Sequence, residues 1–409
     1  MATEQPDTFD EVNWESVRSS SGIVNLALKT KLMLITTLPL LALWLYDRVA
    51  VGQREKTFVQ LGKDLGLSGP FETLGLTWNP AGLDYIFIFT IFLFAFYMIL
   101  PLYENPRMTR YYWKEFKRNR PAVVSLVWLA FVFVVGIIGP LFIDKPEPDI
   151  LKSFQPPVYA TVDTANIVQC VGEASGGTCQ GTWQHPLGTT GSGRDVLAFM
   201  VHGTTITMKI AFITTLIVAL IGISVGTISA YSGGWVDETL MRMTDIVLAF
   251  PTLIFFLMIT YIYGASLGLF IVIFATFAWG GAARYIRSKA LSVAEEEFID
   301  ATRISGASRY RVVRRHIVPN TASSIITNLT LLVPGFLLAE AQLSFLGLGD
   351  AGLLSWGQLI ASGRSSLEYA PWIILAPGFI LFFTILAFNF LGDALLDALN
   401  PEAESEAEK

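Results

Sequence analysis

Residues 295–320 read Glu295-Glu-Glu-Phe-Ile-Asp-Ala-Thr-Arg-Ile-Ser-Gly306-Ala-Ser-Arg-Tyr-Arg-Val-Val-Arg-Arg-His316-Ile-Val-Pro319-Asn320. The stretch opens with three acids and runs into helix formers. Phe298, Ala301 and Ile304 recur at every third residue, so one face of a helix there is apolar. Gly306 interrupts the pattern, and glycine permits a left-handed turn and a close backbone approach. A second amphipathic stretch covers residues 310–317, with Val312 and Val313 inward and arginines outward. Pro319 is expected to end it and to launch the next apolar run. The spacing predicts a helix, a glycine turn and a second helix, a unit shaped to fit a groove on a partner.

What flanks this stretch sets the fold class. Of 409 residues, 53% are hydrophobic and 15% are charged, whereas a soluble domain carries roughly 25% charged residues. The mean hydropathy is +0.53. These values exclude a disordered chain, a coiled coil and an ordinary cytosolic enzyme, and they point to a multi-spanning membrane protein. Eight apolar segments approach the ~20 residues needed to cross a bilayer. They are residues 32–46, 85–103, 121–143, 205–231, 243–263, 267–283, 323–341 and 372–391. The first is short and broken by Pro39, and it also reads as an interfacial helix or an uncleaved signal anchor.

Orientation follows from where Lys and Arg collect. Arg107, Arg110, Lys114, Lys117, Arg118 and Arg120 precede the third segment. Arg284, Arg287, Lys289, Arg303, Arg309, Arg311, Arg314 and Arg315 lie between the sixth and seventh. Both groups are expected in the cytoplasm, and residues 144–202, poor in cations, are expected outside. Eight spans then put both termini in the cytoplasm. The acidic tail 401–409 is expected to be disordered. Cys170 and Cys179, the two cysteines of the chain, fall in the outer segment among Gly, Ser and Thr. Two free thiols are one reading. A disulfide closing a small loop outside the cell is the favoured one.

Other chemistries find little support. No G-x-x-x-x-G-K-[ST] occurs, and Gly62-Lys63 lacks both the upstream glycine and the following hydroxyl residue. Two cysteines and three histidines leave little room for a metal centre. His185 and His202 have no Cys/His cluster beside them. The net charge of −6 argues against nucleic-acid binding. An ion-coupled transporter would need mid-span acids or histidines, which are nearly absent. An intramembrane enzyme would need a nucleophile or a set such as H-E-x-x-H, which is missing.

The 295–320 stretch resembles the EAA loop of prokaryotic ABC importer permeases. That pattern is Glu-Ala-Ala, three residues, Gly, nine residues, then Ile-x-Leu-Pro. The matching residues here are Asp300-Ala301-Thr302, Gly306 and His316-Ile317-Val318-Pro319. The chain departs by Asp for Glu, Thr for Ala, His for Ile and Val for Leu. The ending Arg315, His316, Pro319 and Asn320 resembles the dipeptide/oligopeptide/nickel branch. Further matches follow in order. They are His185-Pro-Leu-Gly-Thr189 with Gly193-Arg-Asp-Val-Leu197, Tyr231-Ser-Gly-Gly-Trp-Val-Asp237, Met241-Arg-Met-Thr-Asp245 and Pro251. Glu340-Ala-Gln-Leu-Ser-Phe-Leu-Gly-Leu-Gly349, Ser355-Trp-Gly357, Ala370-Pro-Trp372, Pro377-Gly378 and Phe388-Asn-Phe-Leu-Gly-Asp393 complete the series. Where the branch usually has Asp, this chain has Thr190. The resemblance covers about residues 114–401 and is similar to the C-type permease subunit.

The resemblance implies an all-α, polytopic membrane protein with a six-helix permease core; the first ~110 residues lie outside it, and their two apolar segments add about two extra N-terminal transmembrane helices, which are unusual for the family. Residues 1–110 would be that extension, 111–200 the first core helix and outer loop, and 201–400 the core with its coupling loop at about 289–320. It implies a transport subunit, not an enzyme, and no cofactor in this chain, with ATP and Mg on partner ATPases. The implied partners are a second permease, two cytoplasmic ABC ATPases, an extracellular solute-binding protein and membrane lipid. The implied ATPase-coupling residues are Glu297, Phe298, Asp300, Ala301, Arg303, Gly306, Arg309, Arg315, His316, Pro319 and Asn320. Glu340, Ser344 and Phe345 are candidates for the translocation path or gate, and Glu340 also reads as a helix-end carboxylate bonded to a neighbour. Asp237, Arg242 and Asp245 are expected to form a cytoplasmic ion-pair cluster.

Overall fold

The computed structural model describes residues 28–51, 57–64 and 80–399; the expectation for the acidic tail lies outside them. The chain divides into two compact units, Met1–Glu104 and Asn105–Lys409. In the first unit, helix α1 (Leu28–Val49) is followed by the short α2 (Thr57–Asp64) and by α3 (Gly82–Glu104). Pro39 does not break α1, contrary to the sequence expectation. A proline removes one backbone bond, and in lipid the helix remains the cheapest way to satisfy the rest. Thr36 and Thr37 donate to the carbonyls of Met33 and Leu34 at 2.8 and 3.1 Å just before it. Thr57 and Tyr46 donate to Asp47 and Asp64, both at 2.5 Å, tying α2 to the end of α1.

The second unit contains α4 (Pro106–Phe116), α5 (Arg120–Phe142), α6 (Val196–Ser232), α7 (Gly234–Ala249), α8 (Thr252–Tyr263) and α9 (Leu267–Ala294). It continues with α10 (Glu297–Ile304), α11 (Arg309–Phe345), α12 (Trp356–Ser362) and α13 (Trp372–Leu399). Among the described residues, seven helices are long and apolar enough to cross a membrane, or eight if the bent pair α7–α8 is one span. The span expected at 243–263 falls on that pair, which bends by 67°. Phe250, which precedes Pro251, takes an extended conformation (φ −74°, ψ 131°). A residue before proline is pushed out of the helical region by the pyrrolidine ring.

Small residues let the core helices approach. Gly222 and Gly226 on α6 are four apart, on one face, and lie against α9. A Cβ at Gly226 would sit 2.6 Å from the Ala283 carbonyl oxygen and 3.0 Å from the Arg287 nitrogen. Between α5 and α6, Gly136 faces Met208, and Thr205 donates to the Gly136 carbonyl at 2.7 Å. His202 bonds the Ile143 carbonyl at the end of α5, 2.9 Å away, which gives this histidine a capping role.

Residues 144–195 form a folded cap between α5 and α6. It holds a three-stranded antiparallel sheet, order β1-β3-β2, of Thr161–Asp163, Thr178–Gln180 and Ala174–Ser175. The Cys170–Cys179 disulfide closes its hairpin, with Cα atoms 5.7 Å apart. A loop of this length gains about 2–3 kcal/mol from the cross-link. Mass spectrometry of protein purified without reductant should therefore find both thiols protected from alkylation. Free alkylation of both would reject the pair. The cap packs on the bundle through Val162, Val196, Phe199, Met200, Leu359 and Trp372.

Candidate functional site: the glycine-centred loop

Ile299 of α10 and Val312 and Ile317 of α11 are fully buried against Ala230, Ala290 and Ala294. Each large side chain contributes about 1.5–3 kcal/mol on burial. The loop is therefore a packed part of the molecule, seated on the ends of α6 and α9. Its other face is bare. Phe298 is 43% exposed, Ile304 88% and Tyr310 71%, and Ala301 is exposed between them. The periodic apolar face read in the sequence points away from the bundle, and Ile299 is the one buried side chain of α10.

The turn between α10 and α11 is built on Gly306, whose φ is +79°. Its N–H donates to the Arg303 carbonyl at 3.0 Å, and the Ala307 N–H donates to the Thr302 carbonyl at 3.3 Å. This 6→1 and 5→2 pair is the Schellman arrangement, which needs a left-handed residue at the glycine position. Ser308 then caps α11 by accepting from the Arg311 N–H at 3.4 Å. No heavy atom lies within 4 Å of the place a Gly306 Cβ would occupy. Within this chain the demand for glycine is one of backbone angle rather than space.

Pro319 does not end a helix, which corrects the sequence expectation. α11 runs on from Arg309 to Phe345 through a π-turn at Val313–Ile317. One wider turn accommodates a proline that lacks an N–H and crowds the carbonyl four residues back. Asn320 donates its amide to the His316 carbonyl at 2.6 Å. The His316 ring lies 6.5 Å from that of Phe298, and Arg309, Arg311, Arg314 and Arg315 are exposed around it.

Arg303 joins the loop to α6. Its guanidinium lies 5.1 Å over the Tyr231 ring, donates to the Tyr231 hydroxyl at 3.4 Å and pairs with Asp300 at 3.0 Å. The tyrosine hydrogen bond holds it above the ordinary arginine range, so its charge is constant at any physiological pH. Asp237, Arg242 and Asp245 do not form a cluster together. Asp237 takes a bidentate bond from Arg287 at 2.6 and 2.5 Å and one from Ser229. Asp245 pairs with Arg284, and Arg242 with Glu238. The two aspartates face α9, and Arg242, five residues on from Asp237, is turned about 140° around the helix.

At the far end of α11, the Glu340 carboxylate is buried and accepts from Ser344 at 2.8 Å and Ser355 at 2.6 Å. Gly357 lies so close that a Cβ would meet the Ala341 Cα at 2.6 Å. Ser344 is buried as well, while Phe345 is 41% exposed beneath the Arg364 guanidinium. The three candidate path residues thus sit at one helix end, two inside a hydrogen-bonded set and one at the surface. Thr190 closes its own turn by accepting from the Arg194 N–H at 3.1 Å, a bond that asks for no carboxylate. Sequence reasoning assigned no role to Tyr231, Ser229, Gly222 or Gly226. The four-residue spacing of small residues within an apolar run was the available signal for the glycines.

Comparisons with known proteins bear on this arrangement. Residues 219–405 match the family described as binding-protein-dependent transport system inner membrane component. Residues 107–157 match the N-terminal transmembrane domain of oligopeptide transport permease C. The oligopeptide transport system permease protein OppC of Haemophilus influenzae is 33% identical over 290 residues, 71% of this chain and 87% of the relative. OppC of Escherichia coli K12 is 35% identical over 71% of this chain and 89% of its own length. The dipeptide transport system permease protein DppC of Alkalihalophilus pseudofirmus is 32% identical over the same two shares, 71% and 89%. Among solved structures, the inward-facing MetNI methionine ABC transporter aligns with 50% of this chain and 97% of its own at 19% identity and a TM-score of 0.42.

Proposed function

This chain belongs to the family of binding-protein-dependent transport inner membrane components, as a multi-pass permease subunit of an ABC importer, and from that premise we propose that it forms the path for di- or oligopeptides together with a second permease. Its relatives are an oligopeptide and a dipeptide transport permease, which supports the peptide class. An external solute-binding protein delivers the substrate. ATP and Mg2+ belong to two cytoplasmic ATPases, and this chain holds no cofactor of its own.

The observation that carries the mechanism is the bare apolar face of Phe298, Ala301, Ile304 and Tyr310 on an otherwise well-seated loop. An exposed apolar patch rimmed by cations marks a protein contact. Glu297, Asp300, Arg309, Arg315, His316, Pro319 and Asn320, on the same loop, complete the proposed contact. A push on this face passes through Ile299 and Ile317 into α9 and α11, and through Arg303 and Tyr231 into α6. ATP-driven closure of the ATPase pair then biases the helices between inward- and outward-facing arrangements. The loop transmits force and makes no covalent bond.

The test is transport. Vesicles carrying this chain, its permease partner and the ATPases should accumulate a labelled dipeptide only with ATP and the binding protein present. Failure of the ATPase to copurify overturns the docking reading, and accumulation of another solute in place of peptide overturns the substrate class. Both termini are assigned to the cytoplasm. Accordingly, Ser308→Cys should be labelled by an impermeant maleimide only from the cytoplasm and Ser175→Cys only from outside. Labelling of both from one side would reject this topology.

A further inference from the structure

Helix α4 has an amphipathic pattern that coupling and transport leave unused. Arg107, Arg110, Lys114 and Lys117 recur at i, i+3, i+7 and i+10, and at 100° per residue they fall within an arc of about 80°. All four are exposed. Among the described residues none of them pairs with a carboxylate, because Glu115, the one acid of the helix, is taken by Arg118 at 2.8 Å. Two aromatics border the stripe, Tyr111 on one side (42% exposed) and Trp113 on the other (41%). The Lys117 ammonium lies 5.1 Å over the Trp113 ring. The opposite face is the one that holds the helix down, with Phe116 buried against Ala122, Ala394 and Ala398. That contact fixes the rotation of α4 and leaves the cations outward.

The position of α4 in the chain limits what it meets. Residues 117–119 alone separate it from the span α5, so it stays at the membrane surface where that span enters. A cationic face with aromatic rings at its rims, lying in the interface, suits phosphates above hydrocarbon. A protein groove would call for exposed aliphatic area on that face, and the stripe has none. The hollow at the base of the helix, which holds Arg118 and Arg120, also holds Glu115 and Asp397 and so has no net sign. We propose that the Arg107–Arg110–Lys114–Lys117 stripe binds the headgroups of anionic phospholipids in the adjoining leaflet. The inference rests on the membrane reading of the chain and on neither the peptide substrate nor the coupling role of the loop.

The experiment uses the full chain with its partner subunits in nanodiscs. With the native cysteines joined to each other, Met108→Cys offers one thiol for bimane on α4, clear of the stripe. Brominated phosphatidylglycerol should quench that probe more than brominated phosphatidylcholine at equal mole fraction, reflecting an enrichment of about fivefold or more at low salt. Raising the ionic strength should shrink the preference. Replacing all four cations by Gln should abolish it, and Arg107→Lys with Arg110→Lys should keep it. If the Gln variant fails to insert, the salt series on the native stripe decides alone. Equal quenching by both lipids at low salt overturns the proposal. So does a preference that survives the Gln variant, or one that stays unchanged while that variant loses the ATPase, which would make the stripe a protein contact.

Discussion

Gly306→Val should insert in the membrane, pair with the second permease and transport nothing. The turn at Gly306 holds φ at +79°, a region that costs a residue with a Cβ about 1–2 kcal/mol, and β-branching adds to it. An added Cβ would strike no neighbouring atom within this chain, and the bundle lies elsewhere, so the damage stays in the loop. There the two Schellman hydrogen bonds fail, α10 and α11 lose their fixed angle, and the bare face presented to the ATPase changes shape. Uptake should fall to background and ATPase copurification should weaken. Arg311→Ala, on the exposed side of α11, should do much less. Wild-type uptake by Gly306→Val with the ATPase bound normally would refute the docking assignment and the mechanism built on it.

The second large effect should come from Gly226→Leu, and it should be a loss of fold. Here the neighbours are backbone: the Ala283 carbonyl oxygen at 2.6 Å and the Arg287 nitrogen at 3.0 Å from an added Cβ. Neither atom can swing aside, so α6 must back away from α9, the helix it packs on most extensively. Overpacking in a close-packed interior costs about 1–3 kcal/mol, and more where backbone must move. The separation also pulls at the Asp237–Arg287 pair, because Arg287 is itself one of the residues met. Size-exclusion profiles in detergent should show most of the variant aggregated, with Gly226→Ala intermediate. A monodisperse Gly226→Leu peak with an unchanged melting temperature would show that the α6–α9 contact is looser than the structure has it.

The two glycines show where sequence reading succeeds and where it stops. Gly306 is legible because it interrupts an amphipathic pattern in a polar stretch, and local chemistry alone calls for a left-handed residue. Gly226 sits inside an apolar run where every residue suits lipid, and its importance depends on α9, about sixty residues away in sequence. The spans are legible for the same reason: a bilayer imposes length and composition on each one independently. Partners in space are not imposed that way. Asp237 and Asp245 read as neighbours of Arg242 because all three are close in sequence, yet their partners are on α9. Proline was over-read at Pro39 and Pro319, where helices continue, and under-read at Pro251, where one bends. The residue alone does not say whether surrounding helix will absorb its missing bond.

The cap over residues 144–195 is finished by residues made much later. Trp372 donates its indole N–H to the Thr189 carbonyl at 3.2 Å, and Tyr369 meets Phe154 edge to face at 5.1 Å. On a ribosome adding about 5–20 residues per second, those partners emerge roughly 10–40 s after Cys170. Through that interval the cap, whose Cys179 is fully buried in the finished protein, lacks the contacts that Tyr369 and Trp372 make with Phe154 and Thr189. The chain holds two cysteines, so mispairing within it is impossible, and a wrong disulfide can form only with a thiol of another molecule. Pairing of the cap's cysteines with a foreign thiol, before Tyr369 and Trp372 are made, is then the hazard built into the order of the chain.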